Sequence, residues 1–437
     1  MKNFYNREKE LGELASIEQQ AEQNAQMTFM VGRRRIGKTS LLLKAYEDST
    51  LVYLFVAKKS EILLCQEFIE EIKDKLEIPV FGDIKDFKTL FELLMQVSKE
   101  RSFTLVIDEF QEFQHINASI YSDIQRIWDL NKDNSHINLI FCGSIYSLMV
   151  KIFENQKEPL FGRADHKFHI QAFDIDTLKD VLKDHYPNYT GEDLLALFIF
   201  TGGIPKYVEL IIQNKAFTLN SMLDTILNEN SLFIDEGKNL LVDEFGKDYG
   251  NYFSILSLIA SGKTSRNEIE SILSIETGGF LNRLEKDFDL IKKIRPFLAK
   301  PLSKKVKYYI NDNFLSFWFR FIYKHKTAVE LGNTDYIKSI ILRDYKMFSG
   351  KFLEKLFIEK LAKQGYYNKI GTYWEKSNQN EIDIVAVNYL EKYILFAEVK
   401  RQQSNINLEL LKKKSLKLTQ KFNGYKFFYK GFSLQDI

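Results

Sequence analysis

The sequence contains few cysteines and prolines, and it lacks long apolar runs. Its 437 residues include two cysteines and six prolines. Cys65 and Cys142 are too few for a disulfide framework and lie in apolar contexts, which favours a reducing, cytoplasmic location. No run of about 18 apolar residues is present, so no membrane-spanning segment is expected. The polar N-terminus also lacks the apolar core of a secretory signal.

The charge balance excludes a chain that binds nucleic acid through overall basicity. Lys and Arg number 61, Asp and Glu number 59, and the net charge is +2. Any surface for DNA must therefore be local. At roughly 150 residues per domain, the length predicts about three domains.

Apolar strands alternate with helical stretches in the first part of the chain. Strands are predicted at Met27–Val31, Leu51–Val56, Phe103–Ile107 and Asn138–Cys142. This alternation indicates repeated βα units around a parallel sheet, and therefore an α/β fold class.

A phosphate-binding motif follows the first predicted strand. The segment fits G-x-x-x-x-G-K-[ST], between a strand and a helix, where backbone N–H groups and the helix dipole favour phosphate. Lys38 is expected to reach the β- and γ-phosphates of ATP, and Thr39 to place its hydroxyl on Mg²⁺. The residues expected to surround ATP are Gly32, Arg33, Arg34, Arg35, Ile36, Gly37, Lys38, Thr39 and Ser40.

Polar residues end the next predicted strands. Asp108 is expected to hold Mg²⁺, and Glu109 to orient or deprotonate the attacking water. Ser144 is either a sensor of the γ-phosphate or an ordinary turn serine. Arg163 is either an arginine finger, acting within the chain or on a neighbour, or a plain surface arginine.

The segments NREKEL, GRRRIGKTSLL, LVIDEFQ, FCGS, LFGR and TGGIPKYVE together resemble the archaeal-type ATPase family of AAA-related P-loop proteins. The resemblance covers residues 1 to about 245. It implies that Asn6 and Arg7 lie near the adenine and that the Gly-Gly-Ile-Pro turn belongs to a helical lid. AAA-type ATPases often work as rings, so a homo-oligomer is an expectation that Arg163 permits.

The pattern from about residue 249 to 312 predicts three helices and a hairpin, the outline of a winged helix. Basic residues concentrate there, which suits DNA phosphates, whereas acids on the third helix argue against close contact with a groove. A packing module with a solvated lysine face is the alternative. The basic residues are Arg283, Lys286, Lys292, Lys293, Arg295, Lys300, Lys304, Lys305 and Lys307.

A second group of acids lies near the C-terminus. Glu398 and Lys400 share one face of a predicted strand, and Asp383 on the adjacent strand can reach that side. Asp383 and Glu398 form a plausible Mg²⁺ site, beside which the lysine would orient or deprotonate water. A surface strand pair with ordinary salt bridges is the alternative.

The order helix, three strands, helix, strand over about 345–437 resembles the PD-(D/E)XK nuclease fold. Asp383, Glu398 and Lys400 match its core motif in order, and Glu354 matches the acidic helical residue of the archaeal resolvase-like branch. The resemblance implies metal-dependent cleavage of DNA.

The expected architecture is a P-loop parallel sheet with a helical lid, followed by a winged helix and a small α/β nuclease-like domain. The expected function is an ATP-hydrolysing protein that couples nucleotide state to DNA binding and cleavage. The alternative is an ATP-dependent switch or scaffold that binds a partner and cuts nothing. The expected domains are 1–172 (ATPase core), 173–246 (lid), 247–312 (winged helix), 313–347 (connector) and 348–437 (nuclease-like).

Overall fold

The computed structural model divides into two compact units, which meet in sequence between Ala172 and Phe173. The described residues are 4–80, 82–246, 249–303, 305–375 and 379–437. Lys304, assigned above to the basic surface, lies outside them.

A five-stranded parallel sheet forms the core of the first unit. Its strands are β1 (Gln26–Val31), β2 (Leu51–Phe55), β3 (Phe103–Asp108), β4 (Ile137–Gly143) and β5 (His166–His169). They lie in the order β2-β3-β4-β1-β5, and every neighbouring pair is parallel. β3 and β4 are buried along their whole length, as expected when helices cover both faces of a sheet. The predicted α/β class and parallel sheet are confirmed.

Seven helices accompany this sheet. They are α1 (Glu8–Ala21), α2 (Lys38–Ala45), α3 (Glu61–Leu76), α4 (Phe87–Val97), α5 (Phe113–Ile116), α6 (Ile120–Asn131) and α7 (Tyr146–Glu154). In α4, Phe87, Leu90, Phe91 and Leu94 recur at helical spacing and are buried in the core, and Asp86 caps the first turn. Sequence reasoning missed β5, a four-residue strand in which only Phe168 is buried.

The second unit begins with five helices. They are α8 (Ile175–His185), α9 (Gly191–Thr201), α10 (Pro205–Gln213), α11 (Leu219–Ile226) and α12 (Leu232–Phe245). Gly203, in the turn between α9 and α10, has φ +73°, and an added Cβ would lie 2.2 Å from the carbonyl oxygen of Phe173. That position therefore requires glycine.

Three helices and an antiparallel hairpin follow, in the order that the sequence predicts. They are α13 (Tyr249–Ala260), α14 (Arg266–Leu273), α15 (Gly278–Lys286), β6 (Ile291–Ile294) and β7 (Lys307–Ile310). Next come α16 (Asn313–Phe317), a π-helical turn (Trp318–Ile322) and α17 (Lys326–Glu330). The equation of the helices and hairpin with a winged helix stays a prediction.

The chain ends in a four-stranded sheet flanked by helices. The elements are α18 (Thr334–Lys363), β8 (Lys369–Tyr373), β9 (Ile382–Asn388), β10 (Tyr393–Val399), α19 (Leu408–Thr419) and β11 (Lys426–Phe432). The order is β11-β10-β9-β8, with β10 and β11 parallel and the other pairs antiparallel. α18 is continuous for 30 residues, so the expected boundary between residues 347 and 348 falls inside one helix.

Candidate functional site

The loop between β1 and α2 is shaped by its glycines. Gly37 has φ +90° and Arg35 has φ +68°, so the backbone turns sharply before α2 begins. A Cβ added to Gly32 would lie 3.1 Å from both the carbonyl oxygen of Ile170 and a side-chain carbon of Ile36, which is tighter than ordinary contact. The loop backbone is therefore tightly packed, and it ends at the N-terminus of α2. Free N–H groups at a helix N-terminus favour an anion.

The Lys38 ammonium group is buried at this loop. Its Nζ donates to the carbonyl oxygen of Gly32 at 2.6 Å and lies 3.5 Å from that of Arg33. Burial lowers the pKa of Lys38, whereas the nearby Asp108 and Glu109 act to raise it. Neutral carbonyls of the loop hold this cation, so a phosphate oxygen can replace them without breaking an ion pair.

Asp108, at the carboxyl end of β3, accepts hydrogen bonds from neutral groups. The backbone N–H of Glu109 donates to its Oδ1 at 2.9 Å, and the Tyr53 hydroxyl donates to its Oδ2. The Tyr53 hydroxyl also lies 3.2 Å from Oγ1 of Thr39. Burial and the Asp108 charge raise the pKa of Tyr53, so the hydroxyl stays a donor.

Tyr53 thus links the two residues expected to bind Mg²⁺, and sequence reasoning missed it. The available signal was a single polar atom within an otherwise apolar strand. In the sheet register, Phe55 is paired with Asp108. Tyr53 lies two residues before Phe55, at the carboxyl end of β2, and therefore on the same face of the sheet as Asp108.

Glu109 is fixed by one side chain of its own segment and one that follows β4. It has a left-handed φ of +54°, and its Oε2 accepts hydrogen bonds from the Gln111 amide and from Ser144 Oγ, the latter at 2.8 Å. Ser144 follows β4 and is buried. The structure therefore brings Ser144 beside the second carboxylate, as the sequence predicts, and adds Gln111, which sequence reasoning did not single out.

The N-terminal segment lies beside the same loop. Arg7 is buried, donates to the carbonyl oxygen of Gln171 at 2.6 Å and pairs with Glu10 at 3.1 Å. Gln171 follows the residue that packs on Gly32, which places Arg7 near the loop. Asn6 precedes it with a φ of +45°. Their role toward adenine stays a prediction.

The remaining loop residues differ in exposure. Ile36 is buried, whereas Arg34, Thr39 and Ser40 are exposed, the last two on the first turn of α2. Exposed hydroxyls at this turn suit a metal-bound triphosphate. The donor set therefore fits ATP with Mg²⁺: a buried lysine, a helix N-terminus, two hydroxyls and two carboxylates.

Arg163 lies near the amino ends of the strands, at the end of the sheet opposite the phosphate loop. It pairs with Asp129 at 2.9 Å and donates to the carbonyl oxygen of Pro159 at 2.8 Å. Asp165, two residues on, bonds the backbone of Met27 at the amino end of β1. Six residues of strand, about 20 Å, separate that end from the phosphate loop. The structure therefore does not bring Arg163 to the loop of its own chain, and a role toward a neighbouring copy stays a prediction.

The C-terminal sheet brings Asp383, Glu398 and Lys400 together. Lys400 Nζ lies 3.7 Å from Asp383 Oδ2 and 3.5 Å from Glu398 Oε1. The backbone N–H groups of Val399 and Asn407 donate to Asp383 and Glu398, respectively, at 2.8 and 2.9 Å. The structure brings these three side chains together, and the lysine lies between the acids.

Glu354, on α18, carries a perturbed carboxyl group near this cluster. Burial raises its pKa to about 8, and the charges of Asp383 and Glu381 act in the same direction, against Lys400 and Lys307. Burial also raises the pKa of Asp383. Within the described ranges, no group of three or more His, Cys, Asp or Glu side chains is arranged to hold a metal ion. Binding of Mg²⁺ at Asp383 and Glu398 therefore stays a prediction.

Part of the expected basic surface is engaged within the second unit. Lys307, on β7, pairs with Glu381 at 3.1 Å, and its Nζ lies 4.6 Å from the ring centre of Trp374. Lys300 and Lys305 are exposed. The hairpin thus uses one of its lysines to contact the C-terminal sheet.

A glycine-shaped loop between a strand and a helix, at the carboxyl edge of a five-stranded parallel sheet, defines an α/β P-loop nucleotide-binding fold. Residues 4–211 match a family described as an ATPase domain predominantly from Archaea. Residues 318–416 match a second family, described as archaeal and bacterial proteins of unknown function. The first part of the chain is therefore similar to the archaeal-type ATPase domain, and its C-terminal part is similar to that second family.

Relatives come from Methanocaldococcus jannaschii. One uncharacterized protein is 29% identical over 408 residues, covering 91% of this chain and 87% of the relative. An uncharacterized ATP-binding protein is 24% identical over 277 residues, covering 53% and 76%, respectively.

Two solved structures share the fold. The Walker-type ATPase of Pyrococcus abyssi superposes with a TM-score of 0.54 at 18% identity, covering 72% of this chain and 96% of that one. The Aeropyrum pernix ORC2 protein, solved as ADPNP–ADP complexes, gives 0.50 at 11% identity, covering 76% and 97%. At these identities the likeness shows the fold alone. Among helices of the described ranges, none has the length and apolarity needed to span a membrane.

Proposed function

We propose that this protein binds ATP with Mg²⁺ at the loop of residues 32–40 and hydrolyses the γ-phosphate. The supporting observation is the buried Lys38 ammonium, which donates to loop carbonyls and lies near the carboxylates of Asp108 and Glu109. The match of residues 4–211 to an ATPase family supports the same reaction.

The proposed roles follow from the contacts. Lys38 exchanges its loop carbonyls for phosphate oxygens and stabilises the charge of the transition state. Thr39 and Asp108 would hold Mg²⁺, which when bound neutralises charge on the phosphates. Glu109, fixed by Gln111 and Ser144, orients the attacking water and accepts its proton.

The test is phosphate release from ATP by the full chain. Activity is expected with Mg²⁺ and is expected to stop when EDTA is added. A chain that binds ATP with Mg²⁺ but releases no phosphate, alone or with DNA present, would reject hydrolysis and retain binding.

We further propose that nucleotide state is coupled to DNA binding and to metal-dependent cleavage at the C-terminal cluster. The supporting observation is that Asp383, Glu398 and Lys400 meet where β9 begins and β10 ends, with the buried Glu354 nearby. The exposed lysines of the hairpin suit DNA phosphates.

Cleavage is tested on linear, branched and single-stranded DNA, with Mg²⁺ or Mn²⁺, with and without ATP. Metal-dependent cleavage should disappear in Asp383→Asn and persist in Lys38→Ala, because the two sites use different residues. Glu391→Gln, which changes an exposed acid elsewhere in this domain, is the matched control.

The alternative is a nucleotide-dependent switch or scaffold that cuts nothing. Two observations favour it: Lys400 lies within ion-pair distance of both Asp383 and Glu398, and the described residues form no group of three or more possible metal ligands. ATP turnover without cleavage of any of these DNA substrates would select the alternative.

A further inference from the structure

A cavity of about 240 Å³ lies between the β6–β7 hairpin and the C-terminal domain. A single water needs about 10–15 Å³, so the cavity has room for a ligand of several atoms. Its wall includes helix α18, both hairpin strands and the start of β9, all within residues 173–437.

Charged side chains of both signs line the cavity. The acids are Glu354, Glu359, Glu381 and Asp383, and the lysines are Lys292, Lys307, Lys351 and Lys355. Two of the acids are compensated, since Glu381 pairs with Lys307 and Asp383 accepts from the Val399 N–H and faces Lys400.

Lys351 and Lys355 are one helical turn apart on α18, so their stems lie on one face, with Cβ atoms about 6 Å apart. Lys355 donates to the carbonyl oxygen of Asn311 and to Asn313, both at 2.7 Å, and lies 3.9 Å from Glu359. Within the described part of the chain, Lys351 contacts aromatic rings and has no carboxylate partner.

The surroundings penalise these two positive charges. Burial lowers the pKa of Lys351 to about 8, and Arg320 and Lys355 add repulsion. Burial lowers the pKa of Lys355 to about 8 as well, with repulsion from Lys292, opposed by Glu359. Lys292 reaches the same cavity from the hairpin, where its charge acts on Glu359 together with that of Lys355.

We propose that Lys292, Lys351 and Lys355 form a binding subsite for the phosphate group of a phosphate ester inside this cavity. A phosphate carries up to two negative charges and several acceptor oxygens, which match converging ammonium groups better than a monoanion does. The ester is either the 5′ end of a nucleic-acid strand or a free mononucleotide. The subsite does not require cleavage or ATP turnover, so it stands or fails separately from the proposed activities.

The subsite is tested by calorimetric titration in the Lys38→Ala background, which removes the phosphate-loop site, and in EDTA, which excludes metal bridges. The probes are inorganic phosphate, thymidine 5′-monophosphate and a 5′-phosphorylated single-stranded hexanucleotide. At least one probe should bind one to one. Lys351→Met and Lys292→Met should each weaken that binding about tenfold or more, because each removes a charged hydrogen-bond donor.

Lys346→Met is the matched control, since Lys346 is exposed on the same helix and does not line the cavity. Tight binding of the hexanucleotide alone would identify a strand end, and equal binding of the mononucleotide would identify a free ester. The proposal is overturned if no probe binds, or if Lys351→Met and Lys292→Met both bind as the Lys346→Met control does. Lys292 is exposed, so its replacement is expected to leave folding intact even if that of Lys351 does not.

Discussion

The phosphate-loop site and the C-terminal cluster use the same side-chain types but compensate their charges differently. At the loop, neutral groups hold each charge: carbonyls hold Lys38, and a tyrosine hydroxyl and a backbone N–H hold Asp108. In the C-terminal cluster, Lys400 lies between Asp383 and Glu398. At the phosphate loop, a ligand can replace neutral partners at a small cost in free energy. At the C-terminal cluster, a metal or phosphate must first displace an ion pair.

The largest effect is expected from Lys38→Ala at the loop. Losing the cation that stabilises the transferring phosphate should lower ATP turnover about 100-fold or more, measured by phosphate release. Lys44→Ala, an exposed lysine of the same helix paired with Glu47, should leave turnover unchanged. Comparable activity in the two variants would remove the distinction between the two sites.

Glu109→Gln should separate chemistry from binding. Turnover is expected to fall about 100-fold, because the amide cannot accept the proton of water, while ATP affinity stays within about twofold. Glu100→Gln, at an exposed position, serves as the control. A variant that loses affinity rather than turnover would assign Glu109 a binding role.

Tyr53→Phe tests whether the neutral hydroxyl that contacts Asp108 affects Mg²⁺ binding. The hydroxyl that joins Thr39 to Asp108 should matter for Mg²⁺, so the Mg²⁺ concentration for half-maximal turnover should rise about tenfold. Turnover at saturating Mg²⁺ should recover most of its value. An unchanged Mg²⁺ requirement would show that this contact serves packing only.

The smallest effect concerns charge in the second unit. Lys351 has a folded pKa of about 8, below its ordinary 10.5, so its burial penalises folding fully below pH 8 and progressively less up to pH 10.5. The stability of Lys351→Met relative to the parent should therefore fall by about 1 kcal/mol between pH 7 and pH 10, since Lys351 is partly exposed. Thermal unfolding at the two pH values measures this change. An equal shift in Lys346→Met would assign it to general surface charge.

The sequence predicts the elements well where the apolar pattern is strong. Strands β1 to β4 are confirmed because their apolar runs are local signals. The short strand β5 was not predicted, because its residues are mostly polar and it forms through pairing with β1. The continuity of α18 was not predicted because Gly350, a residue that commonly ends a helix, lies inside it.

The site residues also divide into those with a local sequence signal and those that depend on tertiary contacts. Lys38, Asp108 and Glu109 follow from motif spacing, whereas the role of Tyr53 becomes visible only when the sheet brings β2 beside β3. Arg163 had the expected sequence context, but strand direction places it at the far edge of the sheet, against Asp129. Spacing along a chain cannot show which edge of a sheet a loop reaches.

Equilibrium titration of the full chain with ATP, with and without Mg²⁺, measures nucleotide binding at the phosphate loop. One saturable site per chain is expected, which binds more tightly with Mg²⁺ and is lost in Lys38→Ala but kept in Lys44→Ala. No measurable affinity for the nucleotide, or equal affinity in both variants, would contradict it.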